Sequence, residues 1–268
     1  KMLGLDKSLV EQYFYWVGNM LIGNFGYSSQ HRVPVAQLIA APMGNTIVLN
    51  LISLVLVFAI TIPLGIITAV KHRSTLDNVV QIGTVIGISL PAFLLSLLFI
   101  FVFAVKIRLF PISGMVTAGL VGTPMQMFWD RLHHMCLPLI VMTVSSMAGI
   151  TRYVRSAMIE ALRQDYIRTA RAKGLREKVV IYSHAFRNAL IPIVTILTMW
   201  FVGIFGGSVV IESIFSYNGI GRVLIVALKQ LDFSVVLCMN MFYAVLTLLG
   251  NLLMDLAYGL VDPRVKLN

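Results

Sequence analysis

Five long stretches of this chain are apolar at most positions: 46–70, 78–105, 135–158, 188–211 and 233–257. Each can supply the 17–25 helical residues that cross a hydrocarbon core. The apolar positions run on continuously, whereas the strands of a membrane barrel alternate in short segments. The pattern predicts an all-α integral membrane protein, with residues 46–260 forming one bundle of five transmembrane helices. Pro63, Pro91, Pro138 and Pro192 fall in or at the ends of these runs, where a ring without an N–H bends or starts a helix.

Two amphipathic segments lie outside the runs. In 9–23, Val10, Phe14, Val17 and Leu21 recur at helical spacing beside Tyr13, Tyr15 and Trp16, which predicts an interfacial helix within an external segment 1–45. In 213–232, Ile220, Leu224, Ala227, Leu228 and Leu231 recur in the same way. Hydrophobic residues make up 58% of the sequence and charged ones 12%, against about 25% charged in a soluble domain. A water-soluble globule is therefore excluded.

The net charge of +10 gathers beside the apolar runs, which points to membrane orientation and away from nucleic acid. Connections 71–77, 152–187 and 259–268 hold 13 Lys or Arg, while the other three, taken together much longer, hold 8. The first set is assigned to the cytoplasm, together with the C-terminal tail 261–268. An external segment at 1–45 then calls for a further transmembrane helix before it. Cys136 and Cys238 stand in apolar segments and read as small hydrophobes.

Motifs for catalysis are missing: the sequence contains no GxxxxGK[ST], HExxH, paired CxxC or GxSxG. The expectation is no catalytic residue, no metal site and no cofactor on this chain. His133 and His134 point about 100° apart on a helix, which suits interfacial histidines. No charge sits mid-span, which argues against a proton relay or voltage sensor. Glu212 and Asp255 stand near span ends, where headgroup water or capping satisfies them.

The densest chemistry is the cytoplasmic loop 159–187. Asp165 is expected to N-cap YIRTARAK, and Gly174 to stop it in a left-handed conformation. Two turns of helix are unstable alone, so this helix must dock. Ala170, Ala172 and Gly174, with Thr169 between the charges, allow close approach of a partner backbone. Arg168, Arg171, Lys173 and Arg176 offer charge to an acidic rim, and Tyr166, Ile167 and Leu175 offer apolar anchors. A second helix over 177–187 leads back to the fourth span.

DYIRTARAKGL followed by HAFRNALIP resembles the signature loop of the inner-membrane permease subunits of ABC importers, in the form carried by the dipeptide/oligopeptide/nickel group. Residues 3–28, LFPISG (109–114), GGSVVIESIFSYNGIGRVLIVALKQLDF (206–233) and DLAYGLVDPRV (255–265) resemble further stretches of that family. The similarity covers essentially the whole chain and is strongest to the first of the two paired permeases of oligopeptide systems. Arg168-Thr169-Ala170 stands where the wider family has EAA, and the gap from Gly174 to Pro192 is longer than the wider pattern, as in peptide permeases. The family's first helix is not among these residues.

The resemblance implies a type I importer fold in the prokaryotic cytoplasmic membrane. It implies a homologous second permease, two cytoplasmic ATPase subunits that hold ATP and Mg²⁺, and an external peptide-binding protein. It makes 166–178 a coupling helix and puts 213–233 at the external gate, with Gly219, Gly221 and Leu224. Ser145, Ser146, Asn240 and Asn251 are then candidates to line the substrate pathway, and the fourteen Met residues would adapt a wall to varied side chains. The expected function is ATP-driven uptake of oligopeptides or dipeptides by alternating access, with no ATPase site on this chain. Alternatives are import of nickel or another small solute, a secondary transporter or channel, and a membrane anchor for soluble enzymes.

Overall fold

The computed structural model of the chain describes residues 8–261. Helix α1 (Leu9–Leu21) opens with a reciprocal cap, Ser8 and Glu11 each bonding the other's backbone N–H. It leaves Leu9, Val10, Phe14 and Leu21 exposed, as an interfacial helix would. Helix α2 (Val35–Val70) begins eleven residues before the predicted span. The helix starts earlier than expected because Val35 and Ile39 are buried in a cluster with Ile220, Ala227 and Met239, and this packing extends it toward its N-terminus.

The run 78–105 forms two helices, not one. α3 (Thr75–Ser89) and α4 (Ala92–Phe99), which continues as a π-helix over Ile100–Lys106, are bent by 104° at the break. Pro91 removes a donor and drives Leu90 into an extended conformation, φ −88 and ψ 119. Helix α5 (Pro124–Leu162) is capped by Thr123 and Gln126 and extends the predicted third span at both ends.

α6 (Asp165–Ala172) and the single turn α7 (Glu177–Val179) follow, and α7 runs through a π-helical stretch, Val180–Phe186, into α8 (Arg187–Gly203). The chain leaves helix at Gly203, short of the expected 211, and turns through 204–206 before Gly207 takes the left-handed φ of +63. Asn50 of α2 donates to the freed carbonyl of Ile204 at 2.8 Å. α9 (Val209–Ile214), α10 (Ile220–Lys229) and α11 (Phe233–Val261) complete the chain. The tail assigned to 261–268 lies, beyond Val261, outside the described residues.

Among the described residues, α2, α5 and α11 are each long and apolar enough to cross a membrane, and α3 with the α4 segment through Lys106 is so only when the bent pair is taken together. The helices leave Val55, Val79, Phe101, Leu248 and Leu252 exposed, which water would penalise and lipid accepts. Inside, Val57, Ile66, Val154, Met158, Ile167, Val180 and Ala185 form a core joining α2, α5, α6 and the π-helical stretch before α8. α2 and α5 approach closely at Gly65, where an added β-carbon would lie 2.6 Å from Val154 Cγ1. Small residues permit such contacts where helices pack within lipid.

Gly65→Val is therefore expected to destabilise the bundle by about 1–3 kcal/mol, read as a lower unfolding midpoint in detergent. Gly83→Ala, with open space around the new β-carbon, should leave that midpoint unchanged or raise it.

Candidate coupling surface and pathway cavity

α6 is built to stay attached while offering most of its surface. Gln164 is the N-cap, not Asp165: it takes the extended conformation (φ −72, ψ 152), which makes Asp165 the first helical residue. The Asp165 side chain is exposed and lies 3.5 Å from Arg168. At the other end Gly174 is left-handed, with φ +73. Its N–H bonds the Arg171 carbonyl at 2.9 Å, and the Leu175 N–H reaches Ala170 at 3.4 Å, the paired bonds of a Schellman stop.

Ile167 and Ala170 are buried in the core shared with α2 and α5. Tyr166, Thr169, Ala172, Lys173, Gly174 and Leu175 are exposed. Of the eight residues expected at a docking surface, two pin the helix to its own subunit and six face outward. Across the turn, Arg171 donates to Glu177 at 2.6 and 3.2 Å. These bonds hold the Glu177 carboxyl below its usual range and Arg171 above its own.

At the same end of the bundle, Arg155 of α5 grips the buried Asp77 of α3 through two bonds of 2.7 Å. Arg155 also meets His72 Nδ1 at 2.9 Å. The α2–α3 turn, α3 and α5 are thus tied together one helix before α6. The sequence showed Asp77 only as a polar residue at a span end, and its partner lies 78 positions away.

A cavity of about 330 Å³ opens between α2, α5 and the end of α8, lined by Asn50, Ser53, Met142, Ser146, Trp200 and Ile204 among others. Of the four expected pathway residues, the structure brings only Ser146 here. Ser145 turns back to the Val141 carbonyl at 2.8 Å. Asn240 and Asn251 are exposed on α11, eleven positions and so about three turns apart on one face. Asn50, Ser53 and Trp200 were missed because each sits singly in an otherwise apolar run.

The opposite end is organised by buried polar groups. Glu212 is fully buried and is satisfied by Thr46 and backbone N–H groups rather than by headgroup water. Gly219 caps α10 and Gly221 follows in its first turn, both packed against that carboxylate. Leu224 packs on the cluster around Val35. His133 bonds the Leu109 carbonyl at 2.8 Å and His134 the Gly114 carbonyl at 3.2 Å, which fastens the 107–123 connection to α5. A larger cavity, about 590 Å³, lies between the start of α2 and α10.

Asp232 closes that end. Its buried carboxylate accepts from the Ser28 hydroxyl and from the backbone N–H groups of Ser29 and Gln30.

Residues 61–267 match the family described as the inner membrane component of binding-protein-dependent transport systems. The chain belongs to this family. It is therefore a multi-pass membrane protein and the transmembrane permease subunit of an ABC importer, a system that also includes ATPase and substrate-binding components. It is 41% identical over 264 residues to the oligopeptide transport system permease protein AppB of Bacillus subtilis (strain 168), covering 98% of this chain and 82% of the relative. It is 36% identical over 281 residues to the dipeptide transport system permease protein DppB of Escherichia coli (strain K12), covering 98% and 83%. A chain from inward-facing structures of the MetNI methionine ABC transporter shares the fold at a TM-score of 0.61 and 17% identity, over 82% of this chain and 96% of that one.

In this permease the clasp at Asp232 should be sensitive to acid. Burial raises its carboxyl pKa, but the bonds from Ser28, Ser29, Gln30 and Val235 together outweigh burial and hold it below the ordinary 3.8. A depressed carboxyl contributes stability that is complete above its unfolded value and is lost as pH falls below it. Proteolysis between 24 and 34 should stay slow from pH 7 down to about 4 and accelerate below, and Asp232→Asn should accelerate it already at neutral pH.

Proposed function

We propose that this permease conducts peptides into the cytoplasm, and that the outward face of α6 is where its ATPase docks. In this reading α6, the 71–77 turn and the C-terminus are cytoplasmic. The chain pairs with a homologous second permease, and two ATPase subunits carry the ATP and Mg²⁺. An external receptor delivers cargo to the end that holds α9 and α10. Closure of the ATPases draws the docked helices together and swings the bundle from inward-open to outward-open. Peptides as cargo are supported by the oligopeptide and dipeptide transport named for relatives 36–41% identical to this chain.

The observation that carries the docking assignment is the turn at Gly174. It is capped, flanked by Arg168, Lys173 and Arg176, and pinned to the core by Ile167 and Ala170, while a β-carbon added at Gly174 would meet nothing within 4 Å. A surface loop needed only for orientation requires positive charge; it does not require a rigidly stopped helix with two inward anchors. Docking energy applied there passes through Ile167 and Ala170 to α5 and α2. The Arg155–Asp77 pair carries it on to α3. The cavity at Ser146 and Asn50 lies between the helices so moved, which makes it the favoured stretch of pathway within this subunit.

Gly174→Glu places a charge on that face and should cut ATPase copurification and peptide uptake at least tenfold, since an unpaired interfacial charge costs several kcal/mol. Gly174→Asn tolerates the left-handed backbone and should retain both. Wild-type copurification with Gly174→Glu would defeat the docking assignment. Normal docking with uptake of nickel but of no peptide would defeat the cargo.

A further inference from the structure

The α9–α10 hairpin is wrapped around a carboxylate that neither docking nor passage of cargo calls for. Glu212 Oε1 accepts from the Thr46 hydroxyl at 2.9 Å and from the Ser208 N–H at 3.2 Å, and Oε2 accepts from the Arg222 N–H at 3.1 Å. Gly221 supplies a further backbone donor. These groups lie at the start of α10, where unpaired N–H groups favour an anion. The Thr46 hydroxyl also accepts from the Ile220 N–H at 2.9 Å, so one side chain of α2 serves both the carboxylate and the helix that surrounds it.

The enclosure leaves little freedom. A β-carbon at Gly219 would lie 2.4 Å from Thr46 Oγ1 and 2.5 Å from the carboxylate, and one at Gly221 would lie 2.7 Å from the Val209 nitrogen. Beside it, Asn45 Nδ2 donates to the Asn218 carbonyl at 2.8 Å and the Tyr217 hydroxyl donates to the Asn45 carbonyl at 3.2 Å. Lifting the hairpin from α2 would break both Thr46 bonds and both Asn45 bonds, and would leave the Glu212 carboxylate with only the hairpin's own N–H donors. A hinged flap would not be built with its most costly group at the point of separation.

We propose that Glu212 is a positioning residue that locks the α9–α10 hairpin to the outer end of α2, so that the hairpin travels with α2 as one body when the outer mouth opens. This deepens the transport reading above and rests on it for the motion, though not for the lock. The lock is read in the purified permease in nanodiscs, by amide hydrogen exchange over 216–224. Glu212→Gln, which aims an amide at donors, and Thr46→Val, which keeps the carboxylate and removes only the donor from α2, should each speed that exchange at least tenfold. Exchange over 137–150 should not change. If Glu212→Gln fails to fold, Thr46→Val decides alone; unchanged exchange in the hairpin overturns the lock.

The motion is read in the complete transporter on a background without Cys136 and Cys238. Asn45→Cys and Asn218→Cys, bridged by a short bifunctional thiol reagent, should leave receptor-stimulated ATP hydrolysis within twofold of the unbridged sample. A tenfold loss that reductant reverses would show that the hairpin must part from α2 and would overturn the proposal. A merely structural bond would also leave the ratio of stimulated to basal hydrolysis untouched in Thr46→Val, whereas a lock of the outer mouth should lower it. Failure of the unbridged complex to respond to its receptor would instead defeat the importer reading, with the exchange experiment still deciding the lock.

Discussion

Every backbone polar group released by a broken helix within lipid has to be satisfied by the protein itself. This constraint governs the bundle, because three of its elements are interrupted. Where α8 ends, the Ile204 carbonyl is taken by Asn50 from α2. Where α10 starts, its amides are taken by Glu212 and Thr46. Where α3 gives way to α4, Pro91 has no N–H to satisfy. At the first two breaks a side chain from a neighbouring segment already waits, and it fixes how the helices there sit.

The two ends of the molecule solve different problems with the same means. At the α6 end, a short helix that could not stand alone is stabilised by two inward side chains and a capped turn. The rest of its surface is free. The Arg155–Asp77 pair beside it sets a partly exposed guanidinium against a buried carboxylate, and removing Arg155 would leave that carboxylate without its main donor. At the other end, Glu212 and Asp232 are buried carboxylates served mainly by backbone N–H groups and hydroxyls. Both join segments that are remote in sequence.

The apolar runs made the helical membrane fold legible, and the RTARAKGL pattern with its glycine stop located α6 and its left-handed end. Local signals failed where two candidates competed. Asp165 looked like the better cap, yet Gln164 holds the extended position. The run 78–105 looked unbroken because Pro91 among apolar residues does not disclose how far it bends a helix. Asn50, Ser53 and Trp200 carried no signal, since a lone polar or aromatic residue in a span is ordinary. Glu212 was visible, but its burial depends on Thr46, 166 positions earlier, and no periodicity reports such a pairing. Ile167 and Ala170 were found by composition, while their inward direction follows from the register at which α6 meets Val180 and Ala185.

One dimension of α5 bears on how far the proposed docking face of α6 stands from lipid. Its 39 residues, at about 1.5 Å each, reach nearly 60 Å, twice the roughly 30 Å of a hydrocarbon core. A rod of that length overshoots the headgroups even when tilted. In the docking reading proposed above, the charged end of α5 from Arg152 onward stands past its apolar run and holds α6 clear of the hydrocarbon, where a soluble ATPase could reach it.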